Sequence, residues 1–283
     1  MMKTLGIAGL LAAMTAAPTL ATAQSLHGFA DVSYKNDYIT PRGLHVTAHG
    51  DTVQALEGLV LDFPLDQKAT FTDFSLSAGT WMDWNPGYDA ARNKEVFNEF
   101  DWFVGVGTKV GKDWKLGAQY VEFISPQQAF KTEKNIELSV AFDDGAYLKP
   151  ISIQPYVKLF YAISGDSTVV LGKHGGTYDV EVGASPNIDL HPYNIPLIVS
   201  APTWVTFGPS DFWGGGGNTG VFSTGVKVTY PLPLASTAGH WSIYGNYQYY
   251  DLINDQLVKS QTILTGKTGR SNNLFVVGLG FGF

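Results

Sequence analysis

The chain has 283 residues and a formal net charge of −7, from 18 basic and 25 acidic residues. This acidic balance argues against nucleic acid as a partner, and the lack of cysteine excludes a disulfide framework. Only 15% of residues are charged, whereas 13% are aromatic and 32 are glycine. This composition favours a membrane β-barrel, in which aromatic residues lie at the lipid interfaces and glycine leaves room inside the wall.

The first segment in chain order, residues 1–23, has the pattern of a secretory signal peptide. Lys3 precedes an apolar run from Leu5 to Met14, and Ala21 to Ala23 form an A-x-A cleavage site. The run is too short to cross a bilayer, and no later run has the 18 apolar residues that a spanning helix needs. We therefore predict an exported chain whose barrel domain is residues 24–283.

The rest of the chain is predicted to form about twelve strands. In one of them, Ile136, Leu138 and Val140 alternate with Glu137 and Ser139. Lipid on one side of a wall and a lumen on the other impose this alternation. In chain order the predicted strands are Leu26–Ile39, Thr52–Phe63, Phe71–Trp84, Asn98–Val110, Trp114–Ile124, Thr132–Asp143, Ile153–Ser164, Thr177–Ser185, Leu197–Phe207, Val221–Tyr230, Gly239–Asp251 and Asn272–Phe283. The predicted fold is an all-β, antiparallel, up-and-down transmembrane barrel.

The ninth strand is the least regular of the set. Five prolines lie between Pro186 and Pro209, and proline cannot donate a hydrogen bond to a neighbouring strand. Ten or fourteen strands are therefore alternatives. Short connections such as residues 111–113 alternate with long ones such as residues 252–271, which is typical of periplasmic turns and extracellular loops. An even number of strands then places both termini on the periplasmic side.

The last nine residues alternate strictly up to the terminal Phe283. One face carries large apolar side chains and the other is mostly glycine, as a closing barrel strand requires. The segment also resembles the C-terminal signal by which Gram-negative outer-membrane barrels are recognised for assembly, here with Phe275, Phe281 and Phe283. Outer-membrane lipid and the barrel-assembly machinery are the expected partners.

Charged residues on the inward-facing positions are the candidates for lining a pore. Five are acidic and five are basic, so they could tune which ions pass or pair across the lumen and block it. An open and a plugged barrel therefore both remain alternatives. The predicted pore-lining residues are Asp31, Lys35, Asp73, Lys109, Lys115, Glu137, Lys158, Asp179, Glu181 and Lys227.

Catalytic and cofactor motifs are weak. The chain has no G-x-S-x-G motif, and His240 and Ser242 lack an orienting carboxylate nearby in sequence. His45 and His49 are four residues apart, but without helical support we expect solvent-exposed loop histidines rather than metal ligands. We therefore expect no enzymatic activity, cofactor or metal.

Four motifs lie in the first third of the chain: Asn36 to Leu44, Val53-Gln54, Gly79 to Trp81, and Glu99 to Trp102. They resemble the TorF family of Gram-negative outer-membrane porins, which carries aspartate-tyrosine, arginine-glycine, a glutamine in the next strand and then glycine-x-tryptophan. The chain departs from that pattern at Thr40-Pro41, where an apolar or aromatic pair is usual. The resemblance implies a transport barrel without assigned catalytic residues, and it names no solute.

These observations together predict a porin-like channel for passive passage of small hydrophilic solutes. The alternatives are a structural or adhesive outer-membrane barrel that conducts nothing and, less favoured, an outer-membrane enzyme. The sequence indicates neither the solute nor the oligomeric state.

Overall fold

The computed structural model describes residues 25–47, 50–66, 68–85, 96–165, 170–234 and 239–283. The predicted signal peptide lies outside these residues. The strands are β1 (Ser25–Lys35), β2 (Thr52–Pro64), β3 (Phe71–Trp84), β4 (Phe97–Val110), β5 (Trp114–Ile124), β6 (Glu133–Phe142), β7 (Ile151–Ser152), β8 (Pro155–Ser164), β9 (Thr177–Ala184), β10 (Asn187–Asp189), β11 (Ile198–Ser200), β12 (Thr203–Phe207), β13 (Thr219–Pro231), β14 (His240–Leu252) and β15 (Ser271–Gly282). The helices are a 3₁₀ turn (His191–Tyr193), α1 (Ser210–Trp213) and α2 (Asp255–Thr265). Within the described ranges, no helix has the length and apolar character needed to cross a membrane.

Twelve strands form a closed antiparallel barrel. Each of β1 to β6 pairs with the next, β6 pairs with β8, and the ring continues through β9, β12, β13, β14 and β15 back to β1. The closing seam runs from Phe29 opposite Gly282 to Lys35 opposite Val276. Closure leaves the barrel wall without a free edge, and the predicted twelve-stranded barrel is confirmed.

The proline-rich segment forms strands that are interrupted where prolines fall. Pro202 separates β11 from β12, and Pro186 separates β9 from β10, because proline lacks the N–H that would continue the ladder. The short strands β7, β10 and β11 pair in series and join β13, so they extend one side of the wall. The predicted ninth strand exists, but in two pieces.

The last strand shows which face of the wall meets lipid. Phe275 and Val277 are 57% and 66% exposed on the outside, whereas Leu274 and Val276 are 4% and 6% exposed on the inside. Gly278 also faces inward, and a Cβ there would lie 2.3 Å from the Tyr244 ring. Glycine is therefore required where this ring crosses the inner surface of β15.

Two ends of the barrel are distinguished by their connections. The start of β1, the end of β15 and residues 65–66, 68–70 and 111–113 lie at one end, which we call the terminus end. The opposite end, which we call the loop end, carries residues 36–47 and 50–51 and the connections that contain α1 and α2. The candidate site lies inside the barrel at the loop end.

The C-terminal residue completes the closing seam. Phe283 and Gly28 exchange two backbone hydrogen bonds of 3.0 and 3.1 Å, and Phe281 packs on Trp241 with ring centroids 4.5 Å apart. Phe283→Ala is therefore expected to reduce the folded, heat-modifiable form in outer-membrane fractions on gels. Phe71→Ala is the matched control, because Phe71 is 50% exposed, close to the 53% of Phe283, but lies outside the closing strand. Equal loss in both variants would contradict a special role for the last strand.

Candidate functional site: a plugged lumen

Residues 36–47 fold into the barrel as a hairpin, which we call the plug. The Thr40 N–H donates to Leu44 O at 2.9 Å, and the Gly43 N–H donates to Thr40 O at 2.8 Å. Gly43 has φ of 72°, the left-handed conformation that glycine adopts without strain. The prediction that the first strand continues to Ile39 is wrong. Strand β1 ends at Lys35. Asn36 still bonds to Phe275 of β15, but the backbone N–H groups of Thr40, Gly43 and Val46 donate within residues 36–47 instead of to β2 or β15.

The tip of the plug is anchored to the opposite wall by Arg42. Its Nη2 lies 2.6 Å from Asp179 Oδ1 on β9, and the two side chains are only 8% and 1% exposed. The guanidinium also lies 4.2 Å above the centre of the Phe160 ring on β8. A buried ion pair of this kind depends on both partners, because either charge alone would be buried without compensation.

The base of the plug is held by a second group of charges. Asp37 Oδ2 lies 2.8 Å from His45 Nδ1 and 2.6 Å from Lys267 Nζ, just beyond α2. Burial alone would raise the pKa of Asp37, but the hydrogen bonds from His45 and Lys267 outweigh it and hold that pKa below its ordinary value. The prediction that His45 is a solvent-exposed loop residue is wrong, since it is 7% exposed. His49 lies outside the described residues.

An apolar layer covers the plug at the loop end. Asn254 caps α2 by accepting a hydrogen bond from the Gln256 N–H at 2.8 Å, and α2 directs Gln261 Oε1 to the His45 N–H at 3.2 Å. Asn272 on β15 donates to Gly43 O at 2.6 Å. Six apolar side chains in this layer are 0% exposed: Leu44, Phe212, Trp213, Val221, Leu252 and Leu257. The plug and this layer therefore close the lumen at the loop end.

The motifs behind the family resemblance meet around the plug. Tyr38 donates its hydroxyl hydrogen to Glu99, and its ring lies 5.9 Å from that of Trp81. Gln54 Nε2 donates to Asp83 Oδ1 at 2.9 Å. The predicted pore-lining set does not include Glu99 or Asp83. Alternation could have found both, because Glu99 is an even number of residues from Lys109 on β4 and Asp83 from Asp73 on β3.

The terminus-end half of the lumen carries most of the predicted pore-lining residues as cross-strand pairs. Lys109, Lys115 and Lys158 are about half exposed, so water reaches this half of the barrel. The pairs are Lys109 with Asp73 at 2.9 Å, Lys115 with Asp143 at 2.8 Å, Lys158 with Glu181 at 3.4 Å and Gln119 with Glu137 at 2.7 Å.

Three of the ten predicted residues lie elsewhere, in a cavity of about 360 Å³ that adjoins the plug. They are Asp31, Lys35 and Lys227. The remaining predicted residue, Asp179, pairs with Arg42 of the plug. Trp81, Trp204 and Tyr244 also line this cavity. Trp81 lies an even number of residues from Asp73 on β3, and Tyr244 from Gln248 on β14, so alternation places both of these rings on the inner face. Across the described ranges, no group of three or more histidine, aspartate or glutamate residues is arranged to hold a metal.

Comparison with known proteins gives structural likeness without sequence likeness. No family model and no curated protein matches the chain. The NanC porin aligns over 89% of this chain and 98% of its own, with 11% identity and a TM-score of 0.48. An outer membrane channel from Pseudomonas putida F1 aligns over 91% and 95%, with 9% identity and a TM-score of 0.47. Outer membrane phospholipase A from Escherichia coli aligns over 91% and 89%, with 14% identity and a TM-score of 0.43. Channels and an enzyme both occur among these barrels, so the likeness does not distinguish between these functions.

Proposed function

We propose that this chain is a porin-like channel of the Gram-negative outer membrane that passes small hydrophilic solutes when the plug moves. The observation that carries this proposal is the contrast between the two halves of the lumen. The terminus-end half is accessible to water and lined by charged side chains. The loop-end half is closed by the plug hairpin rather than by the barrel wall itself.

The way the plug is held supports a movable closure. Its two charged contacts with the rest of the barrel are ion pairs, Arg42 with Asp179 and Asp37 with Lys267, and the plug is joined to the wall by its own chain. Polar contacts of this kind can be exchanged for water, while the twelve strands stay fully paired. A barrel that served only as a structural support would need no such polar anchors at the mouth of a wet lumen.

The TorF resemblance supports the same proposal. Its motif residues Tyr38, Arg42, Gln54 and Trp81 lie in the plug or against it. In this proposal the motif preserves a closed state rather than a catalytic centre. The apolar outer wall contacts outer-membrane lipid, and β15 is recognised by the assembly machinery.

Single-channel recording in planar bilayers tests the proposal. We expect a small conductance with weak ion selectivity, because three of the five predicted pore lysines are neutralised by carboxylates. The ten predicted pore-lining charges are five of each sign, and removing Lys3 with the signal changes the net charge from −7 to −8. The acidic surplus therefore lies largely in loops and turns, where it should give a mild cation preference at low salt. It should fade above physiological salt, where exposed charges are screened beyond about 8 Å. Strong anion selectivity would contradict this charge assignment, and no conductance even after the plug is released would indicate a non-conducting structural barrel.

A further inference from the structure

The cavity beside the plug is lined from both sides of the closing seam. Strands β1, β2 and β3 on one side of the seam contribute Lys35, Gln54 and Trp81. Strands β12 and β13 on the other side contribute Trp204 and Lys227. Its volume of about 360 Å³ falls in the range of about 300–1,000 Å³ that is usual for small-molecule sites. Tyr38 of the plug packs against Trp81, so a molecule in the cavity would lie next to the plug.

The lysines of this cavity differ from the other cations inside the barrel. Among the lumenal basic side chains that the structure describes, Lys35 and Lys227 have no carboxylate oxygen within 4.0 Å. Lys35 donates to Gln54 Oε1, and Lys227 Nζ lies 3.8 Å above the Tyr244 ring. The one carboxylate on the lining, Asp31, accepts a hydrogen bond from the Tyr244 hydroxyl at 2.8 Å. The cavity lining therefore carries two ammonium groups against one carboxylate, with the Asp83 carboxylate behind Gln54.

The rest of the lining suits a molecule with hydroxyl groups. Ser33, Gln248 and Asn246 line the cavity with side chains that can donate or accept hydrogen bonds. Trp81 and Trp204 supply flat apolar surfaces against which the C–H bonds of a carbon skeleton can pack. This one cavity therefore holds lysines that can bind an acidic group, amides that can bind hydroxyl groups and indole rings that can pack against a carbon skeleton.

We propose that this cavity binds small hydroxylated carboxylates, with the carboxylate held by Lys35 and Lys227 and the carbon skeleton against Trp81 and Trp204. The inference names a solute class for the channel and rests on the proposed function. Charge-assisted hydrogen bonds to the carboxylate are the main source of selectivity over neutral polyols.

Tryptophan fluorescence of the full-length protein refolded in detergent micelles tests this site. Gluconate is the probe, and sorbitol is the matched neutral compound because it differs only in having a hydroxymethyl group in place of the carboxylate. Gluconate is expected to change the emission saturably, and sorbitol and inorganic phosphate at equal ionic strength are expected to have little effect. Trp204→Phe should reduce the amplitude of the signal. Equal responses to gluconate and sorbitol, or to gluconate and phosphate, would overturn the proposal.

Lysine variants identify the position of the carboxylate. Lys227→Gln is expected to weaken gluconate binding about tenfold or more, and Lys227→Arg should restore much of it. Lys115→Gln is the control, because it removes a lumenal lysine outside the cavity and should leave binding unchanged. If Lys227→Gln does not give the heat-modifiable folded form, Lys35→Gln provides the same test. If Lys115→Gln weakens gluconate binding as much as Lys227→Gln does, the effect is a general one of charge and the proposed site is wrong.

The titration separates this proposal from the proposed channel, since it needs neither a membrane nor a current. Gluconate binding by a protein that never conducts would support the binding site and contradict the proposed channel function. Conductance by a protein that does not distinguish gluconate from sorbitol would support the channel function and contradict the proposed binding site.

Discussion

Arg42→Ala is expected to destabilise the closed state by about 3–5 kcal/mol, because removing one partner of a buried ion pair leaves the other charge uncompensated. Asp179, the partner, is 1% exposed and has no access to water while the barrel is closed. The contact of the guanidinium with Phe160 is lost as well. The plug should therefore leave the lumen, and single-channel conductance should rise above that of the wild type.

Lys115→Ala is the matched control for this variant. It also removes a lumenal ion pair, at 2.8 Å from Asp143, but the two side chains are 51% and 38% exposed. Exposed pairs contribute about 0–1 kcal/mol, so this variant should conduct and unfold like the wild type. Limited digestion with chymotrypsin gives an independent measure, because Tyr38 in the plug is 6% exposed and should be cleaved only after release.

A double variant distinguishes plug release from general loss of stability. Arg42→Ala with Asp179→Ala removes both charges, so it should recover much of the stability lost in Arg42→Ala. It still lacks the anchor, so its conductance should stay high and Tyr38 should stay open to cleavage. Wild-type conductance and protection in both variants would show that Arg42 does not hold the plug.

The barrel could be predicted from the sequence because its wall is specified locally. Alternation over a few residues, as in Ile136 to Val140, indicates which side chains face lipid. Turn residues such as Gly111 indicate where strands end. Strand interruptions at Pro186 and Pro202 follow equally from one chemical property of proline. None of these signals depends on residues far along the chain.

The plug could not be predicted by the same reasoning. Arg42 and Asp179 are 137 residues apart in sequence, and Asp37 and Lys267 are 230 apart. Each ion pair exists only because the closed barrel brings its strands and loops together, and a loop with Asp, Arg and His appears solvent exposed when considered alone. The family resemblance marked Tyr38 and Arg42 as noteworthy, but only the structure shows that they occupy the lumen.

The cavity could be predicted in part from the sequence. Alternation placed Asp31, Lys35 and Lys227 on inward positions, and the structure places all three around one space. Which lysines would find carboxylate partners could not be decided from parity, because pairing depends on register between neighbouring strands. Lys109 lies opposite Asp73 in the register of β3 and β4, whereas Lys227 lies opposite Asn246 in that of β13 and β14.

Val140→Arg is expected to impair insertion of the barrel far more than Ser139→Arg. Val140 is 40% exposed on the outer wall of β6, where it lies between Leu116 and Val157 of the neighbouring strands. A charge on the lipid face at the bilayer midplane costs about 2–4 kcal/mol, whereas lumenal substitutions mainly change selectivity.

Ser139 provides the comparison within the same strand. It lies opposite Gly117, whose missing side chain leaves space on the inner wall, and next to Lys158 of β8. An arginine there would face water in the terminus-end half of the lumen and repel Lys158 only weakly, since that lysine is 52% exposed. The fraction of heat-modifiable protein after refolding into lipid vesicles measures both variants. Similar fractions for Val140→Arg and Ser139→Arg would mean that β6 is misassigned or does not lie in a membrane.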